Sequence, residues 1–130
     1  MDFEYNILSD RSFDEVVASV EKITAEKLFK VLHIHDVQAT LAGKGFEREP
    51  IKIIELCNAK FAHEALQKNI SVSLFMPCKI VVYTENNRTK IKAMRPKAIS
   101  DFFPDDGLKK LADDVDLVIV EIADRAAKGE

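Results

Sequence analysis

The sequence predicts an α+β domain of two layers, in which long helices are segregated from a mainly antiparallel sheet. Three observations predict it. Amphipathic helical patterns occupy the two ends of the chain, at Ser12–Glu26 and from Pro104 onward. A hairpin signature surrounds Glu85-Asn86-Asn87-Arg88, and the run Ile51–Leu56 between them is strand-like and apolar on both faces. The expected order is β-α-β4-α with a short inserted helix.

Each element has its own warrant. Glu4–Leu8 reads as a first strand. Ser12 and Glu15 fit a capping box, whose side chains satisfy the free N–H groups of a first helical turn. Phe13, Val16, Val17, Val20, Ile23 and Thr24 then recur at helical spacing, opposite Asp14, Glu21, Lys22 and Glu26. Phe29–Val37 is rich in β-branched and aromatic residues and reads as a strand. Asp36 caps a short helical piece through Ala39 and Leu41, which Gly43 and Gly45 stop before Pro50.

In Ile51–Leu56, Ile53 points opposite to Ile54, so the strand is expected inside the sheet with something packed on each side. Asn58 reads as the N-cap of a helix through Gln67, with Phe61, Ala62, Ala65 and Leu66 as its buried stripe. Cys78–Thr84 and Thr89–Met94 form the hairpin, because Asn tolerates positive φ in a two-residue turn. That turn sets Ile80 against Ala93, Val82 against Ile91 and Thr84 against Thr89 on the core face, and Cys78 shares that face. Leu108, Leu111, Val115, Val118 and Ile122 form the stripe of the last helix, and Ala126–Glu130 is expected to fray.

Composition narrows the function classes. The 130 residues form one expected domain, residues 1–130, with 19 Lys and Arg against 22 Asp and Glu and a net charge of −3. A chain of this size buries roughly two thirds of its unfolded surface and needs no metal or disulfide to fold. With 47% hydrophobic and 32% charged residues it is not a disordered class. A sequence pI near 5.7 argues against a nucleic-acid partner, and no run approaches the ~20 apolar residues of a membrane span. Met-Asp-Phe-Glu-Tyr-Asn lacks the basic and apolar regions of a signal peptide, so a cytoplasmic location with reduced thiols is expected.

Two segments carry a resemblance: Cys57-Asn58-Ala59-Lys60-Phe61-Ala62-His63-Glu64-Ala65-Leu66 and Phe75-Met76-Pro77-Cys78-Lys79-Ile80-Val81-Val82-Tyr83. Together, in this order, they resemble the domain-of-unknown-function 302 family, in its thiol-containing branch with Cys-Asn-Pro and Leu-Pro-Cys segments. Ala59 stands where that branch usually has Pro, and Lys79 where it often has Asn. Another branch has a His after its second strand, of which His35 is a loose counterpart. The resemblance covers about the whole chain. It implies an antiparallel sheet with helices on one face, of the TATA-binding-protein-like type, often assembled as a homodimer, and little about function. Such a fold is no evidence of DNA binding.

Candidate chemistry centres on Cys57, Asn58 and Cys78. Cys57 sits where a strand gives way to a helix N-terminus, whose free N–H groups and dipole favour a thiolate or a bound anion. The alternative is a buried packing residue with Asn58 merely as cap. If their strands are neighbours, Cys57 and Cys78 line one cavity, able to form a reversible disulfide or to hold a soft metal together with His35. His33 and His35 share a strand face about 7 Å apart, without a third ligand at a recognisable spacing. Arg88, Lys90 and Lys92, with Lys79, Arg95 and Lys97 nearby, form a basic stripe better explained as a solvated face or a dimer seam than as a phosphate site. No P-loop, nucleophile elbow, zinc-protease motif or dinucleotide fingerprint occurs, and Glu47, Glu49 and Glu55 are not paired for acid–base work.

The resulting expectation is a cytoplasmic, homodimeric module that binds a small ligand or a partner, without an assignable reaction or named cofactor. The alternative is a thiol-dependent redox or metal-binding protein using Cys57 and Cys78. A purely structural role for both thiols is the third reading.

Overall fold

Alternation of inward and outward side chains gives this chain one sheet with two unlike faces. The computed structural model describes residues 2–130. Strands β1 (Glu4–Ser9), β2 (Lys30–Asp36), β3 (Ile51–Cys57), β4 (Cys78–Glu85) and β5 (Arg88–Met94) form a single sheet in the order β1-β5-β4-β3-β2. Every neighbouring pair is antiparallel. Helices α1 (Phe13–Glu26), α3 (Ala59–Lys68) and α4 (Asp106–Lys128) accompany it, and the short α2 (Val37–Ala42) follows β2. Two 3₁₀ segments, Ile70–Phe75 and Pro96–Asp101, complete the chain.

Local signals act as the side chains dictate. The Ser12–Glu15 capping box forms, and Asp36 caps α2. Asn86 and Asn87 both take positive φ, 54° and 62°, the geometry of a two-residue hairpin turn. The turn then pairs Ile80 with Ala93, Val82 with Ile91 and Thr84 with Thr89, as expected. Val16, Val20 and Ile23 of α1 and Ile119 and Ile122 of α4 close over Ile54, Leu56, Ile80, Val82 and Ile91, all essentially excluded from solvent. Each such side chain stabilises the fold by about 1.5–3 kcal/mol on burial.

Two expectations are corrected. β3 does lie inside the sheet, but Ile54 and Leu56 are buried on the helix side while Ile51 and Ile53 are only partly covered. The reason is topological, since the long helices gather on one face and leave the other to cross-strand neighbours such as Val81. The chain end does not fray either. Helix α4 continues to Lys128, with Ala126 and Ala127 buried and Gly129 as a left-handed cap. Ser9 donates to the Ala127 carbonyl at 2.7 Å and Arg11 to the Ala126 carbonyl at 2.8 Å, which ties the last turn to the end of β1. Among the described residues, no helix is long and apolar enough to cross a membrane.

Candidate functional site

Strand β3 ends at Cys57 and β4 begins at Cys78, and the register sets Leu56 opposite Cys78, so the two cysteines lie on adjoining strand ends. Both thiols are free, and both line a cavity of about 70 Å³ between the sheet, α3 and α4. Phe29 and Phe61 form one wall, with ring centroids 6.0 Å apart, and Ile99, Leu111 and Val115 form another. The volume exceeds the ~10–15 Å³ that one water needs, yet Asn58 is the one polar amide or charged side chain among the described lining residues. A space so poor in hydrogen-bond partners favours apolar or soft ligands.

The electrostatics shift both thiols away from the thiolate form. Burial pushes the Cys57 thiol up. Burial, followed by the neighbouring Cys57, pushes Cys78 up to about 11, with Lys79 pulling weakly the other way. Desolvation of the charged form is the largest cause at both thiols. That helix end is also already served. Asn58 Oδ1 accepts from the Phe61 amide at 3.1 Å, while Asn58 Nδ2 donates to the Leu28 carbonyl at 3.0 Å. Asn58 is thus a cap and a tether for Leu28, which turns the chain at φ 63°.

His35 does not join the thiols. It lies on edge strand β2, where Nε2 meets Glu55 Oε1 at 2.8 Å, and the His33 and His35 rings stand 4.3 Å apart, edge to face. Among the described residues, no three His, Cys, Asp or Glu side chains are grouped to hold a metal. The expected His35, Cys57 and Cys78 set is therefore corrected, because His35 is paired across the sheet with Glu55. The basic stripe is divided too. Lys90 pairs with Glu85 at 2.7 Å and Lys92 with Glu4 at 3.1 Å, and Arg88 reaches Asp10 at 3.6 Å. Arg95 turns away from it to Asp116.

With this geometry in view, comparison with family models finds a match to the domain of unknown function DUF302 over residues 5–126. The chain belongs to the DUF302 family. It is also similar to a solved structure, that of an uncharacterized conserved DUF302 protein from Bacillus stearothermophilus. Identity is 31%, the TM-score is 0.90, and the alignment covers 97% of this chain and 99% of the other. A comparison with curated proteins finds no match.

In this DUF302 chain, sequence reasoning missed a polar cluster at the flank of α4. Asp116 is buried, at 2% exposure, and accepts from Arg95 Nη2 at 2.8 Å, from Arg95 Nε at 3.3 Å and from the Lys97 amide at 3.3 Å. The Tyr5 hydroxyl donates to Asp124, a bond that, with burial, pushes the phenol up to about 12. A single Asp inside the apolar stripe of α4 was the available signal, since a buried carboxylate needs a cationic partner.

Proposed function

We propose that this DUF302 protein is a small-ligand-binding module whose site is the apolar cavity at Cys57 and Cys78. The observation that carries this reading is the concentration of apolar and sulfur-bearing side chains around a space of about 70 Å³. Well-packed interiors leave few voids larger than a water, and apolar pockets with few polar groups are the usual form of small-ligand sites. The thiol-redox alternative is weaker, because both thiols are held protonated by burial. We further propose a cytoplasmic homodimer that uses the open sheet face, where Ile53 and Val81 pair beneath partial cover.

The test uses xenon under pressure and benzene as apolar probes, the first small enough for a space of about 70 Å³. Thermal unfolding of the wild type is expected to shift upward with saturating probe, by roughly 3–5 °C per kcal/mol of binding linkage for a chain of this length. Ala62→Phe, which fills the cavity from α3, is expected to abolish that shift. Unchanged melting of the wild type with both probes would overturn an apolar-ligand site. Light scattering at a mass of one chain would overturn the dimer.

A further inference from the structure

Three sulfur-bearing side chains, Cys57, Met76 and Cys78, line the same cavity. Met76 precedes Pro77 and packs against the small core formed by Val72, Ile99, Leu108 and Leu111, so its thioether is held at the cavity wall. Cys57 follows Leu56, which faces Cys78; with strands ~4.8 Å apart and a rise of ~3.4 Å per residue, the two Cα atoms lie about 6 Å apart. No carboxylate or imidazole belongs to the described lining residues. This set is unsuited to Mg²⁺ or Ca²⁺, which need oxygen ligands, and it does not complete the four-ligand tetrahedron of a structural Zn²⁺ site. Thiolate and thioether sulfur in an apolar pocket instead suits a soft monovalent cation.

We propose that the cavity binds one Cu(I) ion through Cys57, Cys78 and Met76, an assignment that rests on reading the cavity as a ligand site. Binding breaks two S–H bonds, releases both protons to solvent and forms two copper–thiolate bonds, with the Met76 thioether as a neutral third donor. No oxidation state changes. The complex carries one net negative charge, and Lys79 stands beside it, its Nζ donating to the Pro77 carbonyl at 3.2 Å. The metal therefore supplies the driving force that a proton-retaining pair of thiols otherwise resists.

The test titrates the reduced, anaerobic full-length protein with Cu(I) against bicinchoninic acid and follows Ag(I) by native mass spectrometry. One ion per chain is expected, with a sulfur-only shell in copper X-ray absorption and no retention of Zn²⁺ at the same concentration. Cys57→Ser and Cys78→Ser are each expected to weaken binding by about 100-fold or more, beyond what losing an outer-shell partner costs. Met76→Leu, close in volume and safe for folding, is expected to weaken it by about tenfold. Absence of Cu(I) and Ag(I) from the wild type, oxygen or nitrogen ligands in the spectrum, or wild-type affinity in Cys57→Ser would each overturn the assignment. If copper fails while benzene still raises the melting temperature, the copper assignment falls and the ligand cavity stands. If both fail, both fall.

Discussion

Helix α4 covers two regions of opposite character. Over its first half, Leu108, Leu111, Ala112 and Val115 roof the cavity, where nothing charged enters. Along its flank, Asp116 and Asp124 meet Arg95, the Lys97 amide and Tyr5, and the partners are saturated. The difference teaches how one amphipathic helix can serve two ends. Where buried polar atoms find partners, geometry is specified and space is filled. Where the facing side chains are apolar or sulfur and the one amide, Asn58, is engaged as a helix cap, nothing directional closes the gap, and space remains for a guest.

The sharpest way to break the contrast is at the polar side. Asp116→Ala leaves Arg95 without its carboxylate and is expected to cost about 3 kcal/mol in urea unfolding, while leaving benzene binding per folded molecule unchanged. Loss of less than about 1 kcal/mol would make the cluster ornamental.

A medium effect comes from the cavity side. An unfolded Cys78 loses its proton near the ordinary value of 9.0, and the folded one near about 11. Between those values the folded state holds the extra proton, so stability is intact below pH 9 and falls as pH rises. A drop of about 1–2 kcal/mol is expected between pH 8 and 10.5, with Tyr5, held up to about 12, extending the decline above pH 10. Cys78→Ala should flatten the part of that slope below pH 10, and an unchanged slope would place the thiol in solvent. The smallest effect tests a polar atom that has neither fate. Thr24 Oγ1 is buried in the core without a partner, so Thr24→Val is expected to leave stability unchanged or raise it by up to about 1 kcal/mol in the same urea assay.

Much of the fold was legible because its signals are local. Ser12 and Glu15 fix a helix start within four residues, and Asn86-Asn87 fixes the whole β4–β5 register through one turn. The thiol pair was legible only through the condition that β3 and β4 be neighbours, which the register satisfies. The thiol chemistry was not, because ionisation depends on burial by Phe29 and α4, far away in sequence. Ala126 and Ala127 look like a fraying end since alanine marks no face strongly, and only the Ser9 and Arg11 donors reveal what they dock against. Arg95 and Asp116 are separated by 21 positions and a 3₁₀ turn, a pairing that no local pattern encodes. The two-sided apolarity of β3 was read as two covering layers, but covering is a property of where helices land.

The bulge between Val31 and His33 also has a bearing on how the protein behaves in a crowd. Strand β2 is an edge of the sheet, and an edge offers its unpaired amides and carbonyls to any passing strand. Here the bulge breaks the even spacing of those groups, while Lys30, His33, His35 and Asp36 crowd the border with charge and bulk. An incoming strand would not find a regular ladder, although Leu32 stands exposed at the bulge. The extra residue therefore interrupts the even row of backbone groups that a strand added at this border would need.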